Sequence, residues 1–133
     1  MIDEHINKID KIDLAACTMT FCEEGIIHID FKKIEELTVK DVKEMMDVFG
    51  QKSEGKKHPI LITVKQFMTI DKDVRELWAE QGRSQYSSAD AIVATHVAIK
   101  MIANFYIAVN KPAIPTRVFN FEQEAIDWLK TFL

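Results

Sequence analysis

The sequence predicts a mixed α/β domain in the order β-β-α-β-α-β-α-β-α, with the helices packed on one mixed sheet. Three observations predict it. Two short apolar runs, Ile60-Leu61-Ile62-Thr63-Val64 and Ala91-Ile92-Val93-Ala94, have the length and continuity of strands buried on both faces. Between and after them lie stretches whose apolar residues recur every three or four positions, the period of a helix packed along one side. Only the first two extended runs, 14–22 and 25–31, are joined by a turn short enough for an antiparallel hairpin.

Residues 1–13 form a charged lead segment with isoleucines at 6, 9 and 12, and 14–133 are read as a single domain. Run 14–22 is rich in Thr, Cys and Met, and Glu23-Glu24-Gly25 makes the turn. Beyond it, Ile27, Ile29 and Phe31 alternate onto one face while Ile26, His28 and Asp30 take the other. His28 and Asp30 are expected to form a solvated pair, since a hairpin often keeps one face wet. Cys17 and Cys22 are five apart on one strand and point to opposite faces, so they are expected to pack unbridged in a reduced compartment.

Thr38 is placed to cap a helix reaching about Phe49, with Val42, Met45, Met46 and Phe49 on its apolar side. Pro59 opens the next strand. Asp71 caps a second helix carrying Val74, Leu77 and Trp78 and ending near Gly82. Ser87-Ser88 leads into the following strand. The third helix is the most informative element, because only Lys100 and Asn104 interrupt its apolar run from Val97 to Val109. Asn110-Lys111-Pro112 ends it, since proline cannot continue a helix. Pro115-Thr116-Arg117-Val118-Phe119 is the last strand, and Asn120 with Gln123 has the spacing of a capping box for a final helix built on Ala125, Ile126, Trp128, Leu129 and Phe132.

Composition narrows the function. A formal net charge of −4, with no basic run longer than a pair, argues against a nucleic-acid partner. The longest apolar helix, about 13 residues, is too short to span a bilayer, and Met1-Ile2-Asp3-Glu4-His5 lacks the basic start of a signal peptide, so a cytoplasmic location is expected. Histidines at 5, 28, 58 and 96 and two isolated cysteines supply no metal-ligand spacing. Four glycines leave little material for a phosphate-cradling loop, and Ser84, Ser87 and Ser88 beside Tyr86 read as loop chemistry. No metal, no cofactor and no catalytic activity are expected.

What remains is binding. A helix apolar nearly all round is sandwiched inside a protein or covered by something else, and this chain has little protein to cover it. Met101, Phe105, Tyr106 and Val109 are the candidate interaction surface, for a homodimer or a protein partner. The alternative is a carrier for an apolar small molecule or lipid, with a pocket under the same helix. Its candidate rim is His96, Lys100 and Asn104, a stripe at i, i+4, i+8, with Arg117 able to grip a carboxylate or phosphate. The same stripe also serves as the solvent edge of a helix packed on a sheet, and Arg117 also serves as a structural ion-pair partner.

The segments Gly25-Ile26-Ile27-His28-Ile29, Pro59-Ile60-Leu61-Ile62, Met101-Ile102-Ala103-Asn104-Phe105-Tyr106, Asn110-Lys111-Pro112 and Pro115-Thr116-Arg117-Val118-Phe119, with the ending Glu124-Ala125-Ile126-Asp127-Trp128-Leu129, resemble those of small bacterial stand-alone SpoIIAA-like domains of the STAS/SEC14 type. The resemblance covers about residues 14–133 and implies a mixed sheet with helices packed against it. Among wider relatives, anti-sigma-factor antagonists are switched by phosphorylation of a serine, usually preceded by aspartate, at a helix N-terminus after a central strand. Residues 64–71 here hold no Asp-Ser pair, and Thr69 is the nearest hydroxyl, which makes it the candidate phosphoacceptor. The SEC14-like carriers hold an apolar ligand under a mobile helix, which corresponds to the helix at 97–109.

Overall fold

Parallel strands need crossover connections, and right-handed crossovers that keep stepping in one direction lay their helices on one face of the sheet. The computed structural model describes residues 8–80 and 85–133. Its elements are β1 (Lys8–Asp13), β2 (Cys17–Cys22), β3 (Ile27–Phe31), β4 (Glu36–Leu37), α1 (Val39–Lys52), β5 (His58–Thr63), β6 (Thr69–Ile70), α2 (Lys72–Ala79), β7 (Ser87–Val93), α3 (Val97–Asn110), β8 (Thr116–Phe119) and α4 (Glu122–Lys130). Six strands form one sheet in the order β1-β2-β3-β5-β7-β8. Pairing is antiparallel across β1, β2 and β3, then parallel through β5, β7 and β8. β4 and β6 form a separate two-stranded parallel ladder.

From β3 onward every step runs the same way across the sheet. Accordingly α1, α2 and α3 bury Val42, Met45, Phe49, Val74 and Ile99 together with Ile27, Ile29, Ile60 and Ile62 of the sheet. The opposite face is covered by α4, whose Ala125, Ile126 and Leu129 meet Ile26, Leu61, Ala89 and Ala91. Strand alternation sorts the residues: even positions of β3 and odd positions of β5 face α4.

Several local expectations hold in the structure. Thr38 caps α1 reciprocally, its Oγ1 accepting from the Asp41 amide at 3.2 Å while the Asp41 carboxylate accepts from the Thr38 amide at 3.0 Å. Asp71 caps α2 by accepting from the Val74 amide at 3.2 Å. Gly25, at φ +100°, makes the β2–β3 turn where a side chain would be strained. Cys17 and Cys22 are both buried and unbridged, in the clusters on opposite faces.

Three expectations are corrected. First, 8–13 is not merely lead sequence: it is the edge strand β1, paired with β2. Its alternating Lys and Asp hid it from an apolar-pattern reading, yet charge is how edge strands resist pairing with other chains. Two ion pairs tie it down, Asp13 to Lys32 at 2.7 Å and Asp10 to Lys52 at 3.0 Å. Second, Asn120 and Gln123 form no capping box. Phe121 takes the cap position without a side-chain bond, and Gln123 donates to Asp127 one turn along at 2.8 Å. Third, His28 is not solvated but 2% exposed. With α4 closing that face, the His28 ring Nε2 donates to Thr63 Oγ1 at 2.9 Å, and Thr63 Oγ1 donates to Asp30 at 2.6 Å. The second helix ends at Ala79, with Glu80 already extended, short of the end expected near Gly82; residues 1–7 and Ser84 lie outside the described residues.

Candidate functional site

α3 divides its apolar residues between two environments. Ile99, Ile102, Ala103 and Tyr106, spaced i, i+3, i+4, i+7, turn inward toward the sheet and α2. Val97, Met101, Phe105 and Val109, spaced by four, stay 70%, 67%, 49% and 54% exposed. Each step of four residues overshoots a full turn by about 40°, so these four make a slightly slanting stripe along the outside.

His96 starts the helix. Its Nδ1 accepts from the Ala98 amide at 3.2 Å, the task that Ser or Asp performs at most helix starts. That bond needs Nδ1 unprotonated, with any ring proton on Nε2. Lys111 closes the helix in the left-handed conformation, φ 46°, and Pro112 follows.

Beneath the inward residues is a cavity of about 100 Å³. Ile62, Val64 and Ile92 form its floor on the sheet, Ile99, Ile102, Ala103 and Tyr106 its wall on α3, and Val74, Arg75 and Trp78 its wall on α2. Phe31, Leu37, Met68 and Ile70 complete it. The cause of the gap is local. α2 is only eight residues long and fully buries Val74 alone, while the facing wall of α3 includes the small Ala103.

Among the described residues, Arg75 is the one charged residue of the lining. Its Nη1 donates to the Ile70 carbonyl at 2.9 Å and its Nε to Asn110 Oδ1 at 3.3 Å, while its guanidinium lies 5.1 Å from the centre of the Phe105 ring. It thus bolts α2 to the last turn of α3. No ion pair among the described residues involves it.

The residues singled out from the sequence fall in four places. Met101, Phe105 and Val109 lie on the outer stripe, whereas Tyr106 is 8% exposed and lines the cavity. His96, Lys100 and Asn104 share the helix but are absent from the cavity lining. Arg117 is exposed on β8, 4.9 Å over the Phe119 ring and 5.5 Å over the Trp128 ring of α4, on the far side of the sheet from the cavity. Thr69 is exposed on β6, with its amide and its Oγ1 both donating to the Glu35 carbonyl, at 2.8 and 3.2 Å. Arg75 and Trp78 were missed as a site. The hint was there: Trp78 belongs to the apolar stripe Val74, Leu77, Trp78 and Arg75 lies beside it, but nothing local shows that Arg75 meets Asn110, thirty-five residues away.

Among the described residues no group of His, Cys, Asp and Glu is arranged to hold a metal ion. No described helix is long and apolar enough to cross a membrane.

Residues 20–133 match the family described as Domain of unknown function (DUF7793). No curated protein matches the chain. Among solved structures, an uncharacterized protein of the DUF3478 family with a SpoIIAA-like fold, from Shewanella loihica PV-4, superposes with a TM-score of 0.56 at 14% identity, over 97% of this chain and 98% of that one. At that identity the likeness concerns the fold, which is SpoIIAA-like, as the sequence segments implied. A protein with unknown function from Arthrobacter sp. FB24 is 26% identical over 89% of this chain and 95% of that one, with a TM-score of 0.31.

Proposed function

The chain belongs to the DUF7793 family. We propose that it is a non-catalytic interaction domain whose contact surface is the outer stripe of α3, joining two copies of itself. One observation carries this reading: four large apolar side chains in sequence along one helix, Val97, Met101, Phe105 and Val109, are each about half or more exposed. Scattered exposed apolar residues are ordinary on a protein surface; a continuous row of them marks contact sites. Phe105 and Met101 sit mid-row and supply the most area, so they are the anchors.

Magnitudes bound the strength. Burying such side chains is worth roughly 1.5–3 kcal/mol each, against an association cost of about 4–15 kcal/mol. A helix of 14 residues is roughly 21 Å long, so a contact confined to it falls at the small end of stable interfaces. The expected dimer is therefore weak, in the micromolar range. Light scattering across a concentration series tests it: the wild type should show a rising mass, and Phe105→Glu should remain a monomer. A wild type that stays monomeric at the highest concentration would overturn the reading.

A second reading is favoured by the cavity: a binding domain for a small apolar molecule under α3. At about 100 Å³ the space is below the roughly 300–1,000 Å³ of drug-sized ligand pockets. It suits a compact body of a few carbons, not a lipid's acyl chains. Native mass spectrometry of freshly purified protein and a thermal-shift panel test it, and a flat panel would count against it.

A further inference from the structure

We infer that the cavity takes an uncharged aromatic ring, bare or methyl-substituted, with no hydrogen-bonding group. The inference rests on the second reading above, that the cavity is a ligand site, and it names the ligand's class.

The walls decide the polarity of the guest. Every lining residue except Arg75 is apolar or aromatic, and the surface they present to the space is almost wholly apolar. Trp78 Nε1 donates to Asp90 at 3.4 Å, and the Arg75 guanidinium donates to the Ile70 carbonyl and to Asn110 beside the Phe105 ring. Asp90, Asn110 and Phe105 are not part of the lining. Arg75 therefore adds its aliphatic stem to the wall and keeps its charge away from the space, as long cationic side chains commonly do. A hydroxyl or carboxylate on the guest would give up water there and gain no partner. Water itself needs about two to four polar partners to occupy such a space, so it competes weakly with an apolar guest.

Contact chemistry selects a ring. Phe31, Trp78 and Tyr106 bring aromatic side chains to the lining, and Met68 brings a thioether. They come from β3, α2, α3 and the segment before β6, so they approach the space from different elements. Aromatic pairs gain from offset or edge-to-face contact beyond the area they bury, and sulfur gains at a ring edge. An aliphatic guest of the same size gains burial alone.

Size limits the ring to one. Apolar cavities of roughly 150 Å³ hold benzene. The cavity here, about 100 Å³ and partly open to solvent, is near the volume of a single ring, and a substituent larger than methyl would have to project through the opening.

The test compares toluene with phenol, in which a hydroxyl replaces the methyl, with benzoate, and with cyclohexene, a non-aromatic ring of similar size. Binding is measured by calorimetry and by methyl NMR shifts. The methyls of Ile62, Ile92 and Ile99, which line the cavity, report location. The inference predicts shifts at those methyls, with toluene bound about tenfold or more tighter than phenol or benzoate and about threefold or more tighter than cyclohexene. Phenol or benzoate binding as tightly as toluene would overturn the assignment of an uncharged guest without polar groups. Cyclohexene binding as tightly would overturn the aromatic assignment. Either result, with cavity shifts, would leave the cavity a ligand site. Absence of cavity shifts with every compound near its saturation in water would overturn the inference and the ligand-site reading together.

Discussion

Ala103→Leu should make the protein more stable while removing whatever the cavity binds. Ala103 is 7% exposed, and its side chain faces the space between α2, α3 and the sheet. Leaving a closed void costs about 24 cal/mol per Å³, so a cavity of about 100 Å³ that opens partly to solvent represents at most roughly 2 kcal/mol of unrealised stability. Leucine adds three carbons, worth about 0.8 kcal/mol each when buried. Against this stand about 0.5–1 kcal/mol of lost rotamer freedom and some strain from an imperfect fit. The cavity's partial opening to solvent trims the gain further. A net stabilisation of about 1–2 kcal/mol follows. With an unfolding entropy of about 2.1 cal/mol/K per residue over 133 residues, each kcal/mol moves Tm by about 3–4 °C, so Tm should rise by about 4–7 °C. Calorimetric melting measures the shift, and titration with toluene measures the loss of binding. A Tm equal to or below the wild type's would show that no usable volume lies beside Ala103, and the account of α2 as too short to fill that space would fall. A void that natural sequence leaves unfilled, although a single substitution fills it, is where function competes with stability.

Three further expectations come from other parts of the fold. Thr63→Val removes the hydroxyl linking His28 to Asp30 under α4, which should cost about 2–4 kcal/mol in urea unfolding; a loss under about 0.5 kcal/mol would mean that the buried chain of bonds contributes nothing net. The hydrogen bond and charge of Lys32 lower the Asp13 carboxyl below its ordinary 3.8, so its contribution is present above that value and is lost as pH falls through the lowered one. Unfolding followed from about pH 5 down to 2 should therefore show a small, salt-sensitive decline that Asp13→Asn flattens, and identical profiles would contradict the edge-strand ion pair. Burial pushes the Cys17 thiol up to about 12 despite the opposing charge of Lys32, so iodoacetamide near pH 8 should label it only as the protein unfolds; labelling at the rate of a free thiol would contradict its place in the core.

The fold was legible where one physical signal dominates. The continuous apolar runs at 60–64 and 91–94, Thr38 and Asp71 as caps, and Pro112 as a stop each state a local preference that the tertiary structure respects. β1 was illegible because its sequence, Lys8 to Asp13, answers the demands of a sheet edge and not those of a core. The environment of His28 was illegible for a related reason. Whether that hairpin face is wet depends on α4, about a hundred residues later in the chain.

The candidate site was legible as an element but not as a surface. A helix with only Lys100 and Asn104 breaking its apolar run has no broad polar face to set its rotation. Tyr106 and Phe105 are neighbours in sequence, yet one lines the cavity and the other faces solvent. What decides between them is the packing of α2, through Arg75 and Asn110, which no local pattern encodes. The polar stripe of His96, Lys100 and Asn104 was real as a stripe, but it runs beside the cavity's wall, which Ile99, Ile102, Ala103 and Tyr106 make.

In the proposed dimer the outer stripes of α3 from two copies of the chain pack together. Sedimentation velocity on the wild type, on Phe105→Glu and on Met101→Glu tests it most directly, with melting curves confirming that each variant is folded. The expected result is a concentration-dependent dimer for the wild type and monomers for both variants, with stability within about 1 kcal/mol of the wild type because both side chains are exposed. A wild-type monomer throughout, or a dimer that survives both substitutions, would contradict it.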